Sequence, residues 1–439
     1  MAFTFKGGLH VPDYKDLTCC KPIKALDGDK IHIFPLQQHI GAPLDLKVAK
    51  GDTVKVGQVL ADSDAFVTTP VHSSVSGVVS DIKPYLHPSG AKVTAVFIEN
   101  DFSYEKCVDI HPYNPDKMSK EELLKVVRDA GIVGMGGAGF PTHVKLSPPP
   151  EKKIEYLIIN GAECEPYITA DHRRMLEMPD MIIDGIKIAL KILGLSEAYI
   201  GIETNKKDAI EIMSQKAAEA GNIKVCPLKP KYPQGAEKQL IYAITKRQVP
   251  SGGLPADAGA IVLNIDTVSQ ISQAFRTGMP LTKRIVTVSG DCIKEPANFE
   301  VYTGVTFQYI IDAAGGFVDD VKKLVMGGPM MGIAQYSTEV PVVKTTSSLL
   351  ALSKEGGGYD DYSPCIRCGK CVDHCPMHLM PLYLSKYSVE GNLERAEEYN
   401  ILDCIECGLC SYLCPGKQGP LHNIRIAKQQ ILENRRKKK

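Results

Sequence analysis

Eight of the 14 cysteines fall in two runs of identical spacing. Residues 365–376 read C-I-R-C-G-K-C-V-D-H-C-P, and residues 404–415 read C-I-E-C-G-L-C-S-Y-L-C-P. Soft thiolates suit iron–sulfur cubes, and three of them so close in sequence must wrap around one small object. With the spacing C-x2-C-x2-C-x3-C-P, three cysteines of a run hold one [4Fe–4S] cluster and the fourth holds the other. The expected sets are Cys365, Cys368, Cys371 and Cys414 on one cluster, and Cys404, Cys407, Cys410 and Cys375 on its neighbour. Gly369 and Gly408 are expected where backbone passes close to a cluster. Pro376 and Pro415 stop a helix from continuing after the fourth ligand. Structural zinc sites usually offer cysteines in pairs, so triplets followed by C-P argue against zinc.

A second constellation is glycine-rich. Residues 134–139, G-M-G-G-A-G, contain G-x-G-x-x-G. The dinucleotide-binding version of that motif follows a strand and opens a helix. Here a helix, 119–130, comes first, opened by the capping box S-K-E-E. A glycine loop still lets backbone N–H groups approach a phosphate, and Lys145 adds a point charge nearby. Without a ligand the same stretch is only a tight loop.

Position decides between these readings. Strand-like runs at 154–160, 198–203, 223–226 and 260–264 alternate with helical patterns at 179–193, 206–219, 236–245 and 267–275, which argues for a parallel sheet. Asn160, Glu163 and Glu165 leave the end of the first strand. Glu203 leaves the second, and Asn264, Asp266 and Thr267 leave the fourth. The carboxyl ends of parallel strands share one edge, where α/β proteins bind ligands. Asn, Glu and Thr side chains facing a glycine loop there make a flavin or nucleotide pocket. Asp266 or Thr267 alone would be a helix cap.

The elements that must carry these sites divide the chain into four expected domains. Residues 1–112 alternate short apolar runs with K-G-D and V-G turns, as in a small all-β module. Residues 113–280 form the α/β domain. Residues 281–352 bracket a helix, 307–314, with strands at 284–290 and 323–328, giving a small α+β domain. Residues 353–439 hold the cysteine runs. The spacer between Cys375 and Cys404 carries helical patterns at 379–387 and 393–399, so the cluster domain is expected to be helical. Gly356, Gly357 and Gly358 read as a hinge, and R-R-K-K-K at 435–439 as a solvated tail. The fold class is therefore multidomain α/β and α+β.

Composition bounds the rest. The 439 residues are 44% hydrophobic and 23% charged, with a formal net charge of zero. That is an ordinary globular balance with nothing pointing to nucleic acid. With no charged-then-apolar leader and no run of 18 apolar residues, neither a secretory signal nor a membrane span is expected. The six cysteines outside the runs show no disulfide framework and fit a reducing compartment.

Residues 134–145, G-M-G-G-A-G-F-P-T-H-V-K, resemble the FMN-binding loop of the NADH-oxidising subunit of respiratory complex I. Residues 160–166, N-G-A-E-C-E-P, resemble that family's second segment. The resemblance implies that Gly134, Gly136, Gly137 and Gly139 approach the FMN phosphate with Lys145. It also implies that Asn160 contacts the flavin, and that Glu163 and Glu165 act near flavin and nicotinamide as the catalytic pair. Glu203 is expected at the same pocket. Tyr232 and Glu237 match the next segment, Y-P-Q-G-A-E, and Asn264 and Thr267 the last. Met135, Ala162, Ala236 and Leu263 depart from the complex I pattern.

The order of modules is informative too. F-K-G-G-L-H-V-P at 5–12, a β-module resembling the barrel-sandwich hybrid of biotinyl and lipoyl carriers, the FMN segments, a β-grasp-like (SLBB) domain and two cluster motifs resemble, in that order, the RnfC family of the bacterial Rnf complex. No lysine lies between Lys55 and Lys83 to carry a swinging cofactor, so the β-module is expected to be structural. The family implies an NAD-linked oxidoreductase subunit with FMN, NAD(H) and two [4Fe–4S] clusters. It would exchange electrons with ferredoxin through partner subunits of an ion-translocating membrane complex. It would lie peripherally on the cytoplasmic face of the bacterial membrane. Competing expectations are the diaphorase subunit of a soluble NAD-linked hydrogenase or bifurcating dehydrogenase, and a non-catalytic iron–sulfur adaptor with an empty flavin-like pocket.

Overall fold

A computed structural model describes residues 2–354 and 362–437. The glycine hinge expected at 356–358 and the last two residues of the basic tail lie outside the described residues.

The β-module is two small sheets packed face to face. One runs Ile31–Pro35, Lys92–Asn100, Gly77–Leu86 and Thr53–Val54 in spatial order; the other runs Asp45–Leu46, Val59–Asp62 and Val71–His72. Alternating strand positions turn Phe34, Leu60, Val79, Val96 and Ile98 into a shared apolar core. The module docks onto its own chain. Arg128 clasps the Asp62 carboxylate with both guanidinium branches, at 2.7 and 3.0 Å. Lys344 donates to the carbonyls of Pro70 and Gly131.

The stretch up to Ala25 belongs to none of those strands, although it shares the expected 1–112 segment. Lys24–Ala25 pairs with Ala297–Tyr302 at the edge of the six-stranded sheet further along the chain. Residues 3–18 run across the α/β and cluster domains.

The α/β domain holds four parallel strands in the order Ile223–Leu228, Ala198–Glu203, Tyr156–Gly161 and Ala260–Asn264. Asn160 is in register with both Gly201 and Asn264, so the three strand ends finish on one edge. Helix Pro179–Leu193 starts with proline at its first position and stops at Gly194 in the left-handed region. Its Ile182, Ile183 and Ile186 are buried in the domain core, where the helix packs against Ile265–Thr277.

Residues 283–352 form most of a mixed six-stranded sheet, with helix Phe307–Ala313 buried against it through Phe307, Ile310 and Ile311. The cluster domain is helical, as the spacer implied. Pro381–Val389, Leu393–Glu398 and Pro420–Lys437 pack around Leu384, Ala396, Ile424 and Ile431. Among the described residues no helix is long and apolar enough to cross a membrane.

Candidate functional site

The glycine loop is closed by a bridge between Val133 and Pro141 and by the Gly134 amide donating to the Phe140 carbonyl at 2.9 Å. Helix Lys120–Asp129 precedes it, capped by Ser119 and Glu122. Thr267 anchors the loop by accepting from the Met135 amide at 3.1 Å. At Gly136 a β-carbon would lie 3.0 Å from the Asn264 side chain, whereas at Gly137 it would meet nothing within 4 Å. The backbone is thus pressed against the strand edge at one glycine and open at the next, which suits a bulky anionic group seated on main-chain N–H groups.

The edge residues hold the loops around this space. Asn264 caps helix Ile265–Thr277, its Oδ1 accepting from the Asp266 amide at 2.8 Å, while its Nδ2 donates to Asp171 at 2.6 Å. Asn160 donates to the Gly235 carbonyl at 2.8 Å and accepts from the Ala162 amide, so it ties segment 232–237 to the strand end. Lys145 pairs with Glu237 at 2.5 Å, both partly exposed. Three departures from the complex I pattern point into the protein: Met135, Ala162 and Leu263 are 1%, 0% and 3% exposed. They alter packing behind the pocket more than its lining.

The expected acidic residues do not converge on that space. Both oxygens of Glu163 accept from the amides of Asp171 and His172, at 2.6 and 3.4 Å, so this side chain caps helix Ala170–Glu177. Lys15, from the N-terminal segment, lies 3.9 Å away and donates to the carbonyl of Glu165 at 2.9 Å. Glu203 is buried beside Lys206 and accepts from the Lys231 amide. Glu165 lies under the six-stranded domain's loop 327–332. Its carboxylate accepts from the amides of Met330 and Met331 at 3.1 and 3.0 Å. Gly328 leaves no room for a side chain there, since a β-carbon would stand 2.0 Å from the carboxylate. Burial pushes Glu165 up to about 7.

The two cysteine runs repeat one backbone pattern. Arg367 and Glu406, each before the second cysteine, are left-handed, as are Gly369 and Gly408, which open helices Lys370–Asp373 and Leu409–Tyr412. These glycines are therefore required by their φ of 80° and 83°. At Gly408 the close neighbour is the Met330 carbonyl, 2.5 Å from a β-carbon. Cys375, Cys404, Cys407 and Cys410 surround a cavity walled by Met377, Leu384, Ile405, Leu409 and Ile424, and Cys371 lines it too. Among the described residues no three His, Cys, Asp or Glu side chains are placed to hold a single metal ion. A cavity ringed by thiols suits a cube better than a mononuclear site. Cys365 and Cys368 are exposed, and the Ser363 amide donates to the Gly416 carbonyl, which brings the stretch before Cys365 beside the stretch after Cys414.

Segment 232–237, tied to the strand end through Asn160, also meets the cysteine cavity. Tyr232 is 1% exposed, and its hydroxyl lies 2.7 Å from the Cys407 carbonyl and 3.1 Å from Glu165. Gln239 of helix Glu237–Thr245 donates to the Pro376 carbonyl at 3.1 Å. Cys407 thus abuts segment 232–237 through Tyr232, while Cys365 and Cys368 are exposed. Sequence reasoning missed Lys15, Asp171, Gln239 and the loop 327–332. The double glycine at 7–8 and the G-G-P-M-M-G of the loop were the available signals.

Four family models match in succession along the chain. They are the RnfC barrel sandwich hybrid domain over residues 3–103, the Nuo51 FMN-binding domain over 127–273, the SLBB domain over 285–334 and the 4Fe-4S dicluster domain over 358–415. The C subunit of the Na(+)-translocating ferredoxin:NAD(+) oxidoreductase complex of Acetobacterium woodii is 48% identical over 99% of this chain and 98% of its own. Its counterpart in the proton-translocating complex of Clostridium ljungdahlii is 50% identical over 98% and 94%. The counterpart in the ion-translocating oxidoreductase complex of Rhodobacter capsulatus is 38% identical over 91% and 78%. Among solved structures, an NAD+-reducing [NiFe]-hydrogenase aligns at a TM-score of 0.49 and 16% identity, over 72% of this chain and 63% of that one, too loose a likeness to bear on function. With near-complete coverage by such relatives, the chain belongs to the RnfC family, a subunit of the ion-translocating ferredoxin:NAD(+) oxidoreductase (Rnf) complexes.

Proposed function

We propose that the chain is the peripheral NAD-side subunit of such a complex, passing electrons between two [4Fe–4S] clusters and NAD(H) through FMN. When bound, FMN exchanges a hydride with NAD(H) and single electrons with the clusters, the adapter that two-electron and one-electron carriers require. The amides of Gly136 and Gly137, with Gly134 and Gly139 shaping the loop, receive the flavin phosphate. Lys145, here paired with Glu237, would hold that phosphate, and Glu237 would accept from the nucleotide. Asn160, Asn264 and Thr267 hold the three walls at the strand edge. Glu163 and Glu165 act as positioning residues, one capping the helix behind the pocket, the other pinning the loop 327–332.

The single observation that carries this reading is the contact at Tyr232, where segment 232–237 meets the backbone of a cluster ligand. It orders the route as surface cluster, inner cluster, flavin pocket. Partner subunits and ferredoxin belong at the exposed Cys365–Cys368 end, and the cytoplasmic membrane face is where such partners and NAD(H) meet. The relatives couple to Na+ in one case and protons in another, and ion movement is assigned to the membrane partners. An anaerobic NADH titration followed by optical and EPR spectroscopy tests the reading. Cluster signals should appear in proportion to NADH; protein with FMN and iron whose clusters stay oxidised overturns it.

A further inference from the structure

The N-terminal motif F-K-G-G-L-H-V-P is unused by the chemistry above, yet it lies where segment 232–237 meets the cysteine cavity. Phe5 is buried, and Lys231 holds it twice, donating to its carbonyl at 2.9 Å and lying 4.4 Å over its ring. The Gly8 amide donates to the His374 carbonyl at 3.0 Å. One residue on, Leu9 and Tyr232 exchange backbone hydrogen bonds at 3.0 and 2.8 Å. Val11 then packs with Tyr232, Cys407 and Leu409.

The two glycines have no slack. Both are left-handed, at φ 77° and 72°. A β-carbon on Gly7 would stand 2.9 Å from the carbonyl of the ligand Cys375, and one on Gly8 only 2.5 Å from that of Tyr232. Any other residue would force the backbone of the inner cluster site away from the backbone of the pocket edge. In consecutive residues, therefore, one thin strap touches both sides of the gap that electrons must cross.

We infer that residues 5–11 are a positioning strap that fixes the Cys375–Cys404–Cys407–Cys410 site against the Tyr232 edge of the pocket. This rests on the functional reading above for its consequence, but the clamp itself is a property of the chain. The strap matters because electron transfer between separated centres falls steeply with the distance between them. It holds the relevant spacing with main chain, which is stiffer than any side-chain contact.

The test compares wild-type protein, purified anaerobically with its cofactors, with Gly8→Ala and with the milder Lys231→Met. Hydrogen–deuterium exchange of segments 229–235 and 372–378 should speed up in both variants. NADH-dependent reduction of ferricyanide, which needs only the pocket, should be unchanged. Rapid-mixing reduction of the clusters by NADH should slow several-fold. Wild-type exchange and wild-type cluster reduction in both variants would overturn the inference. So would loss of iron from Gly8→Ala with Lys231→Met indistinguishable from wild type, since the strap would then serve only folding. If wild-type clusters never respond to NADH, the functional reading fails, while the exchange measurement still decides the clamp.

Discussion

The Tyr232 hydroxyl lies between an acid of the flavin domain and the main chain of a cluster ligand, 3.1 Å from Glu165 and 2.7 Å from the Cys407 carbonyl. One phenol proton serves one acceptor at a time, and the carbonyl is nearer. The same hydroxyl is placed to donate to the Glu165 carboxylate, which also accepts from the Met330 and Met331 amides. The arrangement is an ordered chain, Glu165 to Tyr232 to Cys407, across the joint between two domains.

Tyr232→Phe breaks that chain at its centre. It leaves the buried Cys407 carbonyl without its donor, a loss of about 1–2 kcal/mol. The thermal unfolding midpoint should fall, while iron and flavin per chain stay at wild-type levels because no ligand is touched. An unchanged midpoint would mean that water replaces the hydroxyl.

Cluster assignment can be read from iron content. Cys404→Ser should remove about four irons and spare the surface cluster, while Cys365→Ser should do the converse. The EPR signal of the spared cluster should persist in each. Because the Cys404 set borders the α/β domain and the Cys365 set faces outward, only the first substitution should also isolate the remaining cluster from NADH.

Lys145→Ala should weaken flavin retention. A charge-assisted hydrogen bond to phosphate is worth about 1.5–3 kcal/mol, or roughly ten- to a hundredfold in affinity. Acid extraction after extended dialysis should recover less FMN per chain than from wild type, with cluster iron unaffected. The difference from wild type should shrink as salt is raised, since screening already weakens the partly exposed Lys145 charge.

Asp171 gives a pH signature. It is half-buried and accepts from Asn264, and desolvation, then Glu163 and Asp266, push it from 3.8 up to about 7 against the pull of Asn264 and Arg284. Between those values the folded protein holds a proton that the unfolded chain has released. Stability from this group is complete below its unfolded value and is lost as pH rises through about 7. Asp171→Asn should flatten the decline of the unfolding midpoint between about pH 5 and 7. Glu165, raised by the same cause, supplies a parallel slope, so the decline should shrink and not vanish.

Much of this was legible in the residues. Strands Ala198–Glu203 and Ala260–Asn264 and helix Pro179–Leu193 have the limits their patterns imply, because Pro179 and Gly194 are local signals that need no tertiary information. The thiol spacing works the same way, since three expected ligands of each cluster lie within a few residues of one another. Glu163 shows what is not legible. Its sequence neighbours suggested the pocket, but a left-handed backbone at φ 45° swings it toward the start of the next helix. Glu165 is hidden by a loop from another domain, and Gly7 and Gly8 are explained only by carbonyls far along the chain. Those contacts are long-range, and no local pattern encodes them.

The strap also constrains assembly. Phe3 pairs with Leu228, Leu9 with Tyr232, and Gly8 with His374. Residues 3–9 thus leave the ribosome early, but the last of their seats is not made until the cluster domain emerges. Contacts this distant in sequence close slowly. Two of its seats, at Leu228 and Tyr232, exist as soon as the α/β domain is made, so the segment is in place to receive the cluster domain when His374 arrives.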